Sequence, residues 1–195
     1  IAAGTQDDKV YFFHTGSSTP LWEANAGGDV QSVAISADGE YIAAGTADNK
    51  IYFFDKDSGT PLWNYTIEDS VLSLAISADG EYIVAGGEYY SKKIYLFSKD
   101  SSIPLWNYTT GDWVPAVSIS ADGEYITAGT GSYDTNVYLF HKDNSTPLWS
   151  YETGHMVGSV AISADGEYIA ASTSGEVYLF DKDNSTPLWN ASAGN

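Results

Sequence analysis

One unit of about 40 residues recurs along the whole chain, and this repetition constrains the fold more than any other feature. The heptapeptide Ile-Ser-Ala-Asp-Gly-Glu-Tyr occurs four times, and the tripeptide Pro-Leu-Trp occurs five times. A unit of this length cannot bury a hydrophobic face by itself, so successive units must stack on one another. The five tripeptides end at Trp22, Trp63, Trp106, Trp149 and Trp189.

Each unit predicts four short antiparallel strands. In one copy, the first strand covers residues 30–36 and is closed by Asp38-Gly39, a dipeptide typical of hairpin turns because both residues tolerate positive φ. The second and third strands are apolar at successive positions, which indicates a sheet covered on both faces. The sequence therefore predicts an all-β fold, a β-propeller whose blades are four-stranded antiparallel sheets.

The chain starts within the second strand of a unit, so we expect four complete blades and one partial blade. The predicted limits are residues 1–27 for the partial blade and residues 28–68, 69–111, 112–154 and 155–195 for the complete ones. We expect these blades to be part of a ring of about seven or eight. The innermost strand that the partial blade lacks would come from the remainder of a longer chain or from another copy, since an open edge leaves backbone groups unpaired.

Composition excludes several classes of function. The net charge is −18, with 26 acidic residues against eight basic ones, so we expect no binding to nucleic acid. No apolar run approaches the roughly 18 residues that a membrane span needs, so we expect no membrane insertion. The absence of cysteine excludes disulfides and thiolate metal sites.

The copies differ from one another mainly in the loops between the second and third strands, at residues 46–50, 87–93, 130–136 and 173–176. In a four-stranded meander these loops and the links between blades lie on one face, which we call the variable-loop face. The other two turns of each blade lie on the opposite, uniform face. Function is expected on the variable-loop face, because binding residues concentrate in loops that vary on a fixed scaffold.

Residues that fall outside the repeat pattern concentrate on the variable-loop face. Exposed Tyr and Trp are typical partner contacts, because they offer a large area at low entropic cost. The alternative is that they cover neighbouring loops or the mouth of the channel. The candidate binding residues are Tyr89, Tyr90, Trp113, Tyr133, Asp134 and His155.

The sequence predicts no metal site and no catalytic group. His14 and His141 occupy one repeat position on the uniform face, where Asp55 and Asp181 stand in other copies, so they are interpreted as turn residues. The acidic turns lack the spacing of a calcium-binding loop and are explained by Asx-turn chemistry.

Two motifs resemble known propeller families. Residues 54–63 resemble the tryptophan-docking motif of quinoprotein (pyrroloquinoline-quinone-type) propellers, and residues 32–46 resemble the inner half of WD-repeat blades. The first resemblance implies that the repeated Trp wedges between adjacent blades and is largely buried there. Ser98 and His141 depart from the acidic pattern of the docking turn.

The resemblance to quinoproteins also bears on catalysis. Enzymes of that family resemble one another in a vicinal disulfide, a cofactor-contacting Arg and a calcium-bound carboxylate set, and this chain has neither Cys nor Arg. We therefore expect no cofactor and no enzymatic activity, and hypothesise a scaffold or recognition module for a protein or glycan partner. The alternative is a fragment of a propeller enzyme, quinoprotein-like or polysaccharide-active, whose catalytic residues lie in other blades.

Five Asn-x-Ser/Thr sequons bear on location. Those at Asn144 and Asn184 are followed by Pro, which hinders use, and the remaining candidates for glycosylation are Asn64, Asn107 and Asn190. Together with the acidity and the absence of Cys, the sequons make the chain similar to archaeal cell-surface propeller proteins. That similarity implies an extracellular or cell-surface location.

Overall fold

The computed structural model describes residues 1–193 and contains nineteen β-strands, with no helix in that range. None of the described residues therefore forms a helix long and apolar enough to cross a membrane. The strands are β1 (Ala2–Gly4), β2 (Lys9–Phe13), β3 (Pro20–Asn25), β4 (Val30–Ile35), β5 (Tyr41–Thr46), β6 (Lys50–Asp55), β7 (Trp63–Thr66), β8 (Val71–Ile76), β9 (Tyr82–Gly87), β10 (Lys93–Ser98), β11 (Trp106–Thr109), β12 (Ala116–Ile119), β13 (Tyr125–Gly129), β14 (Asn136–His141), β15 (Trp149–Glu152), β16 (Ser159–Ile162), β17 (Tyr168–Ser172), β18 (Glu176–Asp181) and β19 (Trp189–Ser192).

The strands form five antiparallel sheets in which neighbours in sequence are neighbours in space. Sheet 1 is β1–β3, and sheets 2 to 5 are β4–β7, β8–β11, β12–β15 and β16–β19. The predicted fold is therefore confirmed, with one three-stranded and four four-stranded sheets that do not close into a ring. Gly194 and Asn195, the end of the blade predicted at residues 155–195, lie outside the described residues.

The hydrophobic core lies between successive sheets, so each inner sheet is covered on both faces. Between sheets 2 and 3, for example, Phe53 and Phe97 are both fully buried in one cluster. Similar clusters fill the other three seams. Residues Ile42, Ala43 and Ala44 are all completely buried although their side chains alternate between faces, which explains why the apolar residues in these strands do not alternate with polar ones.

The glycine in the second strand of each of the first four blades is required by the next blade. A Cβ on Gly45 would lie 2.4 Å from Cγ1 of Val71, the first residue of β8. The same contact recurs for the pairs Gly4–Val30, Gly86–Val114 and Gly129–Val157. The close approach of a strand and the following link therefore depends on a residue with no side chain.

The repeated Trp connects each blade to the next. The indole nitrogen donates to a carbonyl in the last turn of the following sheet, at 2.6–2.8 Å, in the pairs Trp22–Lys56, Trp63–Lys99, Trp106–Lys142 and Trp149–Lys182. The expectation that the rings pack into the seams holds for these four, which are partly buried against the seam clusters and remain partly exposed at the rim. Trp189 is 50% exposed, since no further sheet follows it among residues 1–193.

The Ser-Ala-Asp-Gly turns are fixed by side chains and by one another. Ser36 donates to Asp38 at 2.6 Å, Asp38 accepts from the Glu40 amide at 3.0 Å, and Gly39 has a φ of 75°. Turns of adjacent blades are also joined by a backbone bond, such as that from the Ala37 amide to the Ala78 carbonyl at 2.9 Å. These turns hold the uniform face together, which is why their sequence hardly varies.

The Asp38 turn gives an expected pH dependence. Hydrogen bonds from the Ser36 hydroxyl and the Glu40 amide lower the pKa of Asp38 below its usual value. A lowered folded-state pKa stabilises the fold above the unfolded value of about 3.9, and the contribution is lost as the pH falls through the folded-state pKa. We expect the difference in unfolding free energy between wild type and Asp38→Asn to be complete near about pH 6 and to shrink below about pH 4. Urea denaturation would measure it, and a difference that stays constant into the acid range would contradict the assignment.

Candidate functional site

Three segments of the variable-loop face converge at the seam between sheets 3 and 4. They are the β9–β10 loop at residues 88–92, the β11–β12 link at residues 110–115 and the β13–β14 loop at residues 130–135. Between them lies a cavity of about 320 Å³, which we call the aromatic cleft. Its walls are Glu88, Tyr89, Asp112, Trp113, Ser132 and Tyr133. Three of the predicted binding residues are thus brought together.

The two tyrosines of the cleft are exposed to solvent, and its tryptophan packs against the backbone. Tyr133 is 81% exposed and Tyr89 is 50% exposed. The Trp113 ring lies over Gly131, where an added Cβ would be 1.8 Å from the indole nitrogen. The Gly131 amide also donates to the Trp113 carbonyl at 2.9 Å. Only glycine at position 131 therefore allows the indole to form a wall of the cleft.

Asp112 places a buried carboxylate in the lining of the cleft. The residue is 1% exposed, and its Oδ2 accepts from the Tyr133 amide at 2.9 Å. Its Oδ1 is buried and has no hydrogen-bond partner. Within residues 1–193, no lysine forms an ion pair with it. A carboxylate in this position is costly unless something compensates its charge.

The preceding seam, between sheets 2 and 3, repeats this arrangement. Asp69 in the β7–β8 link accepts from the Tyr90 amide at 2.8 Å, and Tyr90 is 81% exposed like Tyr133. The rings of Tyr89 and Tyr90 meet edge to face at 5.9 Å. A link carboxylate therefore fixes the backbone of each Tyr-bearing loop. Tyr90 is placed beside the cleft rather than in its wall.

Asp134 and His155 were also predicted to bind a partner, but neither lines the cleft. Asp134 faces inward, where it accepts from the Gly111 amide at 3.0 Å, the Asn136 amide group at 2.8 Å and the Tyr138 hydroxyl at 3.0 Å. Burial is the main cause of the raised pKa of Tyr138, and the Asp134 carboxylate raises this pKa further. Asp134 thus joins the link to the β13–β14 loop. His155 is exposed in the following link and does not line the cleft.

The histidines of the uniform face act as turn residues. Nδ1 of His14 accepts from the Gly16 amide at 3.1 Å, and Nδ1 of His141 accepts from the Asp143 amide at 3.3 Å. Asp55 makes the equivalent bond in another copy. In residues 1–193, no group of three or more His, Asp or Glu side chains could hold a metal ion.

The glycosylation candidates lie on the outermost strands. Asn64, Asn107 and Asn190 have exposed side chains on β7, β11 and β19. This position leaves their amides accessible from solvent. Their modification stays a prediction.

Sequence reasoning missed three residues that line the cleft, Glu88, Ser132 and Asp112, and also Gly131, which lies beneath the Trp113 ring. An alignment of the blade links could have found Asp112, because it stands at the repeat position of Asp69. The other three occur in loops of variable length, where the repeat gives no aligned position for comparison. Their role becomes visible only when the loops are seen to meet.

Comparisons with known proteins agree with the fold. Residues 1–191 match the family model described as outer membrane protein assembly factor BamB. No curated protein matches the chain. The structure is similar to a chain in the crystal structure of the mitotic checkpoint complex, with a TM-score of 0.84 and 17% sequence identity. That match covers 97% of this chain and 60% of the other, and at this identity it shows the fold alone.

Proposed function

The chain belongs to the family of the outer membrane protein assembly factor BamB, whose repeats are quinoprotein-like, and on that basis we propose that it is a non-catalytic recognition module that binds a protein partner. The observation that carries this proposal is the aromatic cleft. Its two exposed Tyr side chains and its partly exposed Trp side chain lie at the meeting point of three loops. Exposed aromatic residues on a rigid scaffold are the usual centres of protein interfaces.

The contrast between the two faces supports the choice of surface. On the uniform face, backbone groups of adjacent turns form hydrogen bonds with one another, as in the bond from the Ala78 amide to the Ala121 carbonyl at 2.9 Å. On the variable-loop face, Tyr90 and Tyr133 project from loops that differ between blades. Variation on a fixed framework is what a surface that selects a partner requires.

A protein partner is favoured over a glycan by the comparisons. The family description names a factor in protein assembly, and the similar structure comes from a multi-protein complex. Both facts concern other proteins and serve here only as support. The acidic surface, the accessible sequons and the family description favour a place on the cell exterior or in the envelope.

A displayed library of random peptides would test this function. Peptides selected on the immobilised chain should bind the Tyr133→Ala variant at least about tenfold more weakly, because truncation of an aromatic interface residue has effects of this size. Tyr168→Ala is the matched control, since Tyr168 is also exposed, at 49%, but lies beside the uniform face. Selected peptides that lose affinity for the Tyr168 variant and keep it for the Tyr133 variant would refute the proposal. The stability of both variants would also be measured, because a loss of affinity without a loss of stability reflects binding and not folding.

A further inference from the structure

Resting on the proposed function, we propose that the aromatic cleft binds a basic side chain, Lys or Arg, carried by an extended segment of the partner. The cleft combines three aromatic rings with carboxylates, and its volume of about 320 Å³ suits one long side chain with its flanking backbone. Cations are attracted to the faces of Trp and Tyr rings, most strongly where water is excluded.

The two carboxylates that line the cleft have no ion-pair partner among the described residues. Asp112 is nearly fully buried, and its Oδ1 is unpartnered. Glu88, which also lines the cleft, forms no ion pair within residues 1–193. A cation held in the cleft near these two carboxylates would offset the cost of burying Asp112. The Oδ1 atom itself is covered, so the cation acts on it from the cleft rather than by direct contact.

Lys92 of this chain already makes a cation–π contact at the edge of the cleft. The amine of Lys92 lies 5.1 Å from the centre of the Tyr89 ring and donates to the Gly111 carbonyl at 3.4 Å. The distance is within the range of a cation–π contact. Tyr89 is thus placed to attract a cation, and the charge of Lys92 opposes a second one. Removal of that charge should strengthen binding.

The net charge of the whole chain favours the same occupant. At −18, the protein attracts cationic segments over a distance and accelerates their association. A neutral sugar could stack on the same rings but carries no charge to offset that of the carboxylates. The buried Asp112 carboxylate, which has no ion-pair partner within residues 1–193, is therefore the observation that favours a basic side chain over a glycan.

Titration of the ¹⁵N-labelled chain with capped peptides would test the inference. The probes are Gly-Ser-Lys-Ser-Gly, its arginine counterpart, its norleucine counterpart and chitobiose. The signal to follow is the indole N–H of Trp113, assigned by its loss in Trp113→Phe. We expect the two basic peptides to shift this signal and the norleucine peptide to leave it unchanged. A salt increase should weaken the basic peptides' binding, since surface charge interactions are screened.

Three variants make the test specific to charge. Glu88→Gln should weaken binding of the lysine peptide about fivefold, as expected for loss of one partly exposed ion pair. Lys92→Gln should strengthen it, a gain that damage to the fold cannot produce. Asp7→Asn is the control for net charge, because Asp7 is exposed in the corresponding loop of sheet 1, and it should bind like the wild type.

The possible results separate this inference from the proposed function. Equal shifts with the lysine and norleucine peptides, or a shift with chitobiose alone, would overturn the cation site. If binding of the selected random peptides still depended on Tyr133, the recognition function would stand without the cation site. Loss of Tyr133 dependence in that selection would refute the recognition function instead. Lysine-peptide binding that is weakened in Glu88→Gln and strengthened in Lys92→Gln would establish the cation site.

Discussion

Replacement of Trp106 by alanine should lower the free energy of unfolding by about 3 kcal/mol, the lower end of the range for truncation of a large packed aromatic side chain. The lower end applies because the ring is partly exposed. Its indole nitrogen donates to the Lys142 carbonyl at 2.6 Å, and its ring lies 5.4 Å from that of Phe140 in the next sheet. The substitution therefore loosens the contact between sheets 3 and 4 as well as removing apolar area.

Trp189→Ala is the matched control for this experiment. Trp189 occupies the same repeat position but is 50% exposed and has no following sheet to contact among the described residues. Its replacement should cost less than about 1 kcal/mol, as for most surface substitutions. Urea denaturation followed by tryptophan fluorescence and circular dichroism would measure both variants. Equal losses at the two positions would show that docking across the seam contributes nothing.

Introduction of a single methyl group at Gly45 should also destabilise the chain strongly, by about 2–3 kcal/mol. The new Cβ would lie 2.4 Å from Cγ1 and 2.8 Å from Cβ of Val71, much closer than van der Waals contact. Since Val71 is completely buried, it cannot move away without shifting sheet 3. Thermal and urea denaturation of Gly45→Ala would measure the loss.

Two further variants show whether crowding is the cause. Gly175→Ala is the control, because nothing lies within 4 Å of an added Cβ there and the backbone has no positive φ. It should leave stability almost unchanged. In the double variant Gly45→Ala with Val71→Gly, the clash is removed. Gly45→Ala should therefore cost less stability in the Val71→Gly background than in the wild type. Strictly additive effects would contradict a direct contact between the two positions.

Local sequence was enough to predict the strands and most turns. The Asp38-Gly39 turn depends on a hydroxyl, a carboxylate and a positive φ that all lie within six residues, so its chemistry can be read directly. The His14 and His141 turns were interpreted correctly for the same reason, because their acceptor bonds span two residues. Repetition then extended each local prediction to every blade.

Hydrogen bonds between blades and the roles of individual loop residues were predicted less well. Packing of the repeated Trp at the seam was expected, but the hydrogen bond from its nitrogen to the next blade, over more than 30 residues of sequence, was not. Asp134 was expected to face a partner, yet three hydrogen bonds turn it inward. Such outcomes depend on which groups meet across a seam, and no pattern within one unit specifies that.

The sequence by itself determined that this protein is a row of antiparallel four-stranded blades and that its variable-loop face differs from blade to blade. It also singled out Tyr89, Trp113 and Tyr133, because they break the repeat. Only the tertiary structure decided that these three side chains share one cleft with the buried carboxylate of Asp112. The physical reason is that the cleft forms where two blades pack together, so its composition depends on contacts between residues about 20 to 45 positions apart, as repeats of this length bring together.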